Sequence, residues 1–185
     1  MKRAVFIGLA VLALTALLGT GAWAWFSAGA EATNTLTAGT VEIGINEEYT
    51  PVTEWIPGQK SEKMLWVKSS GTKAAYVRVA LIPVWGHLRG DEFIAEPALP
   101  VSNVELHWDE AHWVYADGWY YYKAILAAEA ETAPLLSSVT LSSDTGDEYR
   151  GKVLQIVAAA EAVQASHEAY KETWGIDTLP DGVEL

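Results

Sequence analysis

Two histidines and two carboxylates stand within six residues, His107-Trp108-Asp109-Glu110-Ala111-His112, where imidazoles and acids are close enough in sequence to suggest a metal. A zinc peptidase helix uses H-E-x-x-H, because a spacing of four puts both imidazoles on one helical face beside the glutamate that handles the bound water. Here the spacing is five. Ala111, between Glu110 and His112, also breaks the inverse H-x-x-E-H order. On a hairpin His107 and His112 would face each other across the turn, so they are weak metal candidates, and a solvated turn between aromatic strands is the simpler reading. Asp144, Asp147 and Glu148 around Gly146 offer carboxylates to calcium, but not at the alternating positions of an EF-hand loop, and they read as an acidic β-turn. There is no G-x-S-x-G elbow and no glycine-rich phosphate loop, and the absence of cysteine excludes thiolate catalysis and iron–sulfur ligation. No catalytic residue is assigned, no cofactor is expected, and the chain reads as a non-enzyme.

The N-terminus carries a different kind of information. Lys2 and Arg3 precede an apolar run from Ala4 to Leu18, which closes on Ala22-Trp23-Ala24. A basic start, a short apolar run and an A-x-A pattern describe a secretory signal peptide, and the run is shorter than the roughly 20 residues a membrane span needs. Residues 1–24 are therefore the expected signal peptide, with Ala22, Ala24 and Trp25 at the cleavage site. Membrane contact is expected only before cleavage, and the product is expected outside the cell or at its surface.

Cleavage there removes two basic residues and no acidic one, so the formal charge moves from −12 to −14. Nucleic acid and anionic membranes are disfavoured, since both are bound through basic patches that release counterions. The remaining 161 residues suffice for one domain with its own core. Nine Trp and eight Tyr against three Phe favour rings with a polar handle, suited to half-buried strands and wet interfaces.

Short β-branched and aromatic runs alternate with turn signals along this stretch. Strands are predicted from Leu36 to Ile45, Met64 to Val67, Ala74 to Val84, Val104 to Trp108, Trp113 to Tyr115, Trp119 to Leu126 and Leu135 to Leu141; from Val153 to Ala165 five alanines favour a helix, while Val153, Gln155 and Val157 suit a strand, and the segment is read as a strand. The run Ala74 to Val84 is apolar without alternation, the pattern of a strand buried on both faces. Asp117-Gly118 marks a hairpin, Gly86 to Asn103 an excursion from the sheets, and Ser166 a helix N-cap before a helix that ends near Gly175. The acidic tail from Asp177 is expected to fray. Arg78 and Lys123 are expected to lie along aromatic surfaces rather than to bind phosphate. The economical sum is an all-β, antiparallel sandwich with short helical excursions.

Several of these residues together resemble a known family. Trp25-Phe26-Ser27, Thr37-Ala38-Gly39-Thr40-Val41, Ile56-Pro57-Gly58, Ala75-Tyr76-Val77-Arg78-Val79, Asp117-Gly118-Trp119-Tyr120-Tyr121-Tyr122 and Ala160-Glu161-Ala162-Val163-Gln164-Ala165 are similar, in order, to the TasA/camelysin family. The resemblance implies a jelly-roll sandwich, export with a dedicated signal peptidase, and, in the TasA branch, assembly into extracellular fibres of the biofilm matrix. It implies partners that are further copies of the chain or paralogous fibre subunits. The camelysin branch implies the alternative of a cell-surface metallopeptidase. An accessory or anchoring fibre subunit is a third reading.

Fibre assembly in this family has the segment after the cleavage site complete the sheet of a neighbour. That gives residues 25–36 as the donor-strand candidate, with Trp25, Phe26, Ala28, Ala30 and Leu36 as its contacts, and 37–185 as one sandwich domain; the competing reading is that residues 25–35 form an edge strand of their own sandwich or a free leader. Gly29 and the alanines make this a poor strand by propensity, so the two rings must anchor it, each contributing on the order of 1.5–3 kcal/mol when buried.

Overall fold

The computed structural model describes residues 41–49, 52 and 54–185. Among these residues nine strands form two antiparallel sheets. The first has the order β1 (Ile43–Tyr49), β2 (Lys60–Ser69), β8 (Leu136–Leu141), β5 (Val104–Trp108). The second is built on β3 (Ala75–Arg89), which pairs on one side with β9 (Val153–Gln164) and on the other with β7 (Trp119–Tyr122) and β4 (Glu92–Ala95); β6 (Trp113–Ala116) lies outside β7.

The alternation of side chains on strands explains how the sheets meet. Val41, Ile43 and Ile45 face inward, as their period of two requires, with Leu65, Val67, Leu136 and Val139 beside them. Ala75, Val77 and Val79 of β3, Ile156, Ala160 and Ala162 of β9, and Trp113 of β6 close the core from the other sheet. Asp117-Gly118 forms the predicted hairpin, with both φ angles positive (50° and 87°), the conformation that matches the twist of the flanking strands. The all-β sandwich expected from the sequence is the observed fold.

Five local expectations change. The excursion from Gly86 is a continuation of β3 to Arg89 that turns back as β4, pairing Leu88 with Phe93 and Arg89 with Glu92. The strand from Trp119 stops at Tyr122, one rung before the Lys123 N–H bond to the His112 carbonyl that keeps the hairpin register, and Leu126 returns only as an isolated bridge to Ala75. The helix α1 (Ala169–Trp174) is capped by Glu168 in a left-handed conformation, not by Ser166, whose hydroxyl is engaged by Gln164 and His167. Its end at Gly175 is as expected. The tail is docked rather than frayed: Leu179 is buried against Tyr76, Val163 and Tyr170, and Glu184 N–H donates to the Lys123 carbonyl at 2.7 Å.

The fifth concerns β3. Its inward face is covered by the first sheet, but α1 covers only the N-terminal end of its outward face, at Tyr76 and Arg78. Further along, Ala80, Ile82 and Val84 are half-buried. The unbroken apolar run is thus matched by a second covered face over only part of its length.

Trp113 is fully buried and donates its indole N–H to the Ala133 carbonyl at 3.1 Å, whereas Tyr115, two residues on, is 54% exposed. Trp113→Ala is expected to lower the free energy of unfolding by about 3–5 kcal/mol in urea titration, and Tyr115→Ala by less than about 1 kcal/mol.

Candidate functional site

The metal candidates separate in space. β5 and β6 belong to different sheets, so His107 and His112 do not face each other across a hairpin; their connection crosses from one sheet to the other. His107 shares a hydrogen bond with Thr140 Oγ1 at 2.7 Å, and His112 Nδ1 pairs with Asp109 Oδ2 at 2.7 Å. That contact from His112 holds the Asp109 carboxyl below its usual range. Asp147 is occupied by Arg150 at 2.9 Å. Among the described residues no three metal-ligating side chains converge, and the donor set does not fit the zinc of a metallopeptidase.

A built cluster of charges and rings lies instead on the outer face of the second sheet. Arg78 is 8% exposed; its Nε and Nη2 both donate to Glu161 Oε2, at 2.8 and 2.6 Å, and Nη1 donates to the Tyr121 hydroxyl at 3.3 Å. The guanidinium lies between the rings of Trp119 (4.2 Å) and Trp174 (4.5 Å). The expectation that Arg78 follows an aromatic surface holds. Lys123 differs, donating to the Glu110 carbonyl at 2.7 Å. Trp119 and Tyr121 share the outer face, while Tyr120 and Tyr122 turn to the core, as strand alternation requires. Each guanidinium nitrogen makes a bond within the protein, and the buried group fastens α1 to the sheet.

The remaining feature with a chemical capacity is the edge of β9. Among the described residues β9 pairs with β3 alone, over twelve positions from Val153↔Gly86 to Gln164↔Ala75. The direction of its backbone groups follows from neighbouring bonds. Ala75 exchanges hydrogen bonds with Leu126 and the Trp85 carbonyl accepts from Glu96, so odd residues of β3 point their backbone groups away from β9. Pro83, also odd, therefore turns its N–H-less nitrogen into the interval between β7 and β4. Even residues of β3 bond odd residues of β9. Leu154, Ile156, Ala158, Ala160, Ala162 and Gln164 consequently present their N–H and C=O groups outward.

Edge strands usually carry charges, proline or bulges that prevent pairing. β1 carries Glu47 and Glu48, β5 carries Glu105 and β4 carries Glu92, while β6 carries no charge and is only four residues long. β9 has no proline and a regular register, and its one charge, Glu161, is neutralised by Arg78. β1 approaches β9 along the same side of the sandwich. In the sequence the alanines of β9 favour a helix and Val153, Gln155 and Val157 a strand; the strand was legible from the latter, its edge position was not.

The signal peptide, the cleavage residues Ala22, Ala24 and Trp25, and the donor candidates Trp25, Phe26, Ala28, Ala30 and Leu36 lie outside the described residues. In class, the described chain is an antiparallel β-sandwich with one long, unguarded sheet edge. The family model for camelysin metallo-endopeptidase matches residues 1–81, which bears out the TasA/camelysin resemblance over the N-terminal residues, β1, β2 and the first half of β3. A comparison with curated proteins finds no match. Among solved structures, the ASH/PapD-like domain 7 of human CEP192 aligns at 11% identity and a TM-score of 0.29, over 65% of this chain and 86% of that one.

Acid should loosen the rim of this sheet. Glu96 accepts from Lys152 Nζ at 2.6 and 2.8 Å and pairs with His87 at 2.6 Å, and these contacts, Lys152 first, hold its carboxyl below the ordinary range. A folded-state pKa lower than the unfolded one stabilises the fold above the unfolded value, and the gain is lost as pH falls through the folded value. The melting temperature is expected to fall with acid through that window, and Glu96→Gln to flatten the fall.

Proposed function

We propose that this protein is a secreted, non-enzymatic structural subunit that assembles into extracellular filaments or biofilm matrix by donor-strand complementation. The observation that supports this most is the outward row of backbone donors and acceptors on β9, twelve residues long and unguarded by charge. An extended peptide added to such an edge satisfies its main-chain groups, while side chains on alternate positions fix which peptide fits. The donor is residues 25–36 of a second copy, or of a paralogous subunit, exposed once signal peptidase has removed residues 1–24. Its length equals that of β9. The strongly acidic composition keeps free subunits soluble, and β9 is the long edge among the described residues where that protection is missing.

The family name carries a second reading, a cell-surface metallopeptidase. Against it stands the separation of His107 from His112 and their engagement by Thr140 and Asp109. An accessory subunit that caps or anchors fibres would use the same edge once only.

Proline discriminates between the two sides of β9. Ala158 points its N–H outward, and Ala159 points its own to β3. Ala158→Pro is expected to leave the far-UV circular dichroism and melting temperature near those of the parent and to abolish filaments in negative-stain images. Ala159→Pro is expected to melt earlier through loss of a ladder bond. Filaments that persist with Ala158→Pro would remove β9 as the acceptor. A chelator-sensitive proteolytic activity in the parent would favour the peptidase.

A further inference from the structure

The uncovered part of the second sheet's outer face begins where β9 begins. Opposite Val153 lies Gly86, with the Phe93 ring over it so closely that a Cβ at that position would collide with both the ring and the Ile94 carbonyl. Leu88, paired with Phe93, is 48% exposed. From there Val84, Ile82 and Val157 continue the apolar strip toward Ala80 and Ala159. No charged side chain interrupts it between the Arg89–Glu92 pair at one end and the Arg78–Glu161 pair at the other.

We infer that this strip seats the body of a second copy of this chain, the copy that donates its N-terminal segment to β9; the inference rests on the strand-donation reading above. The length of the connecting chain decides the occupant. Only residues 37–40 separate the donor from Val41, which is buried in its own core. The five Cα–Cα steps from Leu36 to Val41 reach at most about 18 Å, so the donor's sandwich must lie against the acceptor near the point where the strand ends. Every strand pairing in both sheets is antiparallel, and an antiparallel donor places Trp25 at the Gln164 end of β9 and Leu36 at the Val153 end. The donor's body then arrives beside Leu88, Phe93 and Val84. A parallel donor would deliver it to the opposite end, where α1 and the tail already cover the sheet.

The chain contains no cysteine, so introduced thiols report contacts without interference. The experiment uses the exported chain as secreted by an expression host. Asn34→Cys with Gln155→Cys is expected to form intermolecular disulfides and a ladder of covalent oligomers, and Asn34→Cys with Gln164→Cys is not. Adding Leu88→Asp to the first pair is expected to keep the fold, as the residue is half exposed, and to reduce the ladder and filament yield at least tenfold. The milder Leu88→Ala should give an intermediate loss. A ladder from Asn34/Gln155 with Leu88→Asp filaments at parental yield would overturn the seating of the donor body while leaving strand donation intact. A ladder from Asn34/Gln164 instead would overturn the antiparallel direction and the seating with it. No ladder from either pair, with monomers throughout, would overturn strand donation itself and this inference too.

Discussion

The second sheet hangs from the ladder between β3 and β9, and the parity of its hydrogen bonds governs what surrounds it. Even residues of β3 bond odd residues of β9; the odd backbone groups of β3 then turn to β7 and β4, and the even ones of β9 turn outward. Pro83 is compatible with this arrangement because its nitrogen faces a gap. The same parity puts Val77 and Val79 in the core and Tyr76 and Arg78 under α1. A shift of one residue would bury Arg78 among aliphatic side chains and expose the valines, at a cost that keeps the register single.

Arg78 shows how the sheet's outer surface is divided. A guanidinium needs a carboxylate, a hydroxyl and flat surfaces if it is to leave water, and Glu161, Tyr121, Trp119 and Trp174 supply them from three elements. They also close one end of the outer face with α1. Among the described residues the other end has Phe93 folded over Gly86. One sheet face thus carries a finished interface and an unfinished one.

Much of this was legible in the sequence. Alternation in Val41, Ile43 and Ile45, the Asp117-Gly118 turn and the β-branched runs gave strands and fold class, since each is a local signal. The Gly86 to Asn103 region hid a hairpin because Gly90 and two prolines resemble a loop. Ser166 misled because its hydroxyl serves neighbouring side chains instead of the helix. Long-range facts were beyond local pattern: that β5 and β6 lie in different sheets, parting His107 from His112, and that β9 is an edge. The apolar run of β3 was readable as needing two covered faces, and the structure shows where the second cover is missing.

The sandwich, the edge at β9 and the proposed donor segment meet in the claim that one copy completes another. Negative-stain electron microscopy of residues 25–185 beside a version beginning at Thr37, both without N-terminal tags, tests it most directly. Strand donation predicts filaments from the first and monomers from the second. Filaments from both, or monomers from both at high concentration, would contradict it.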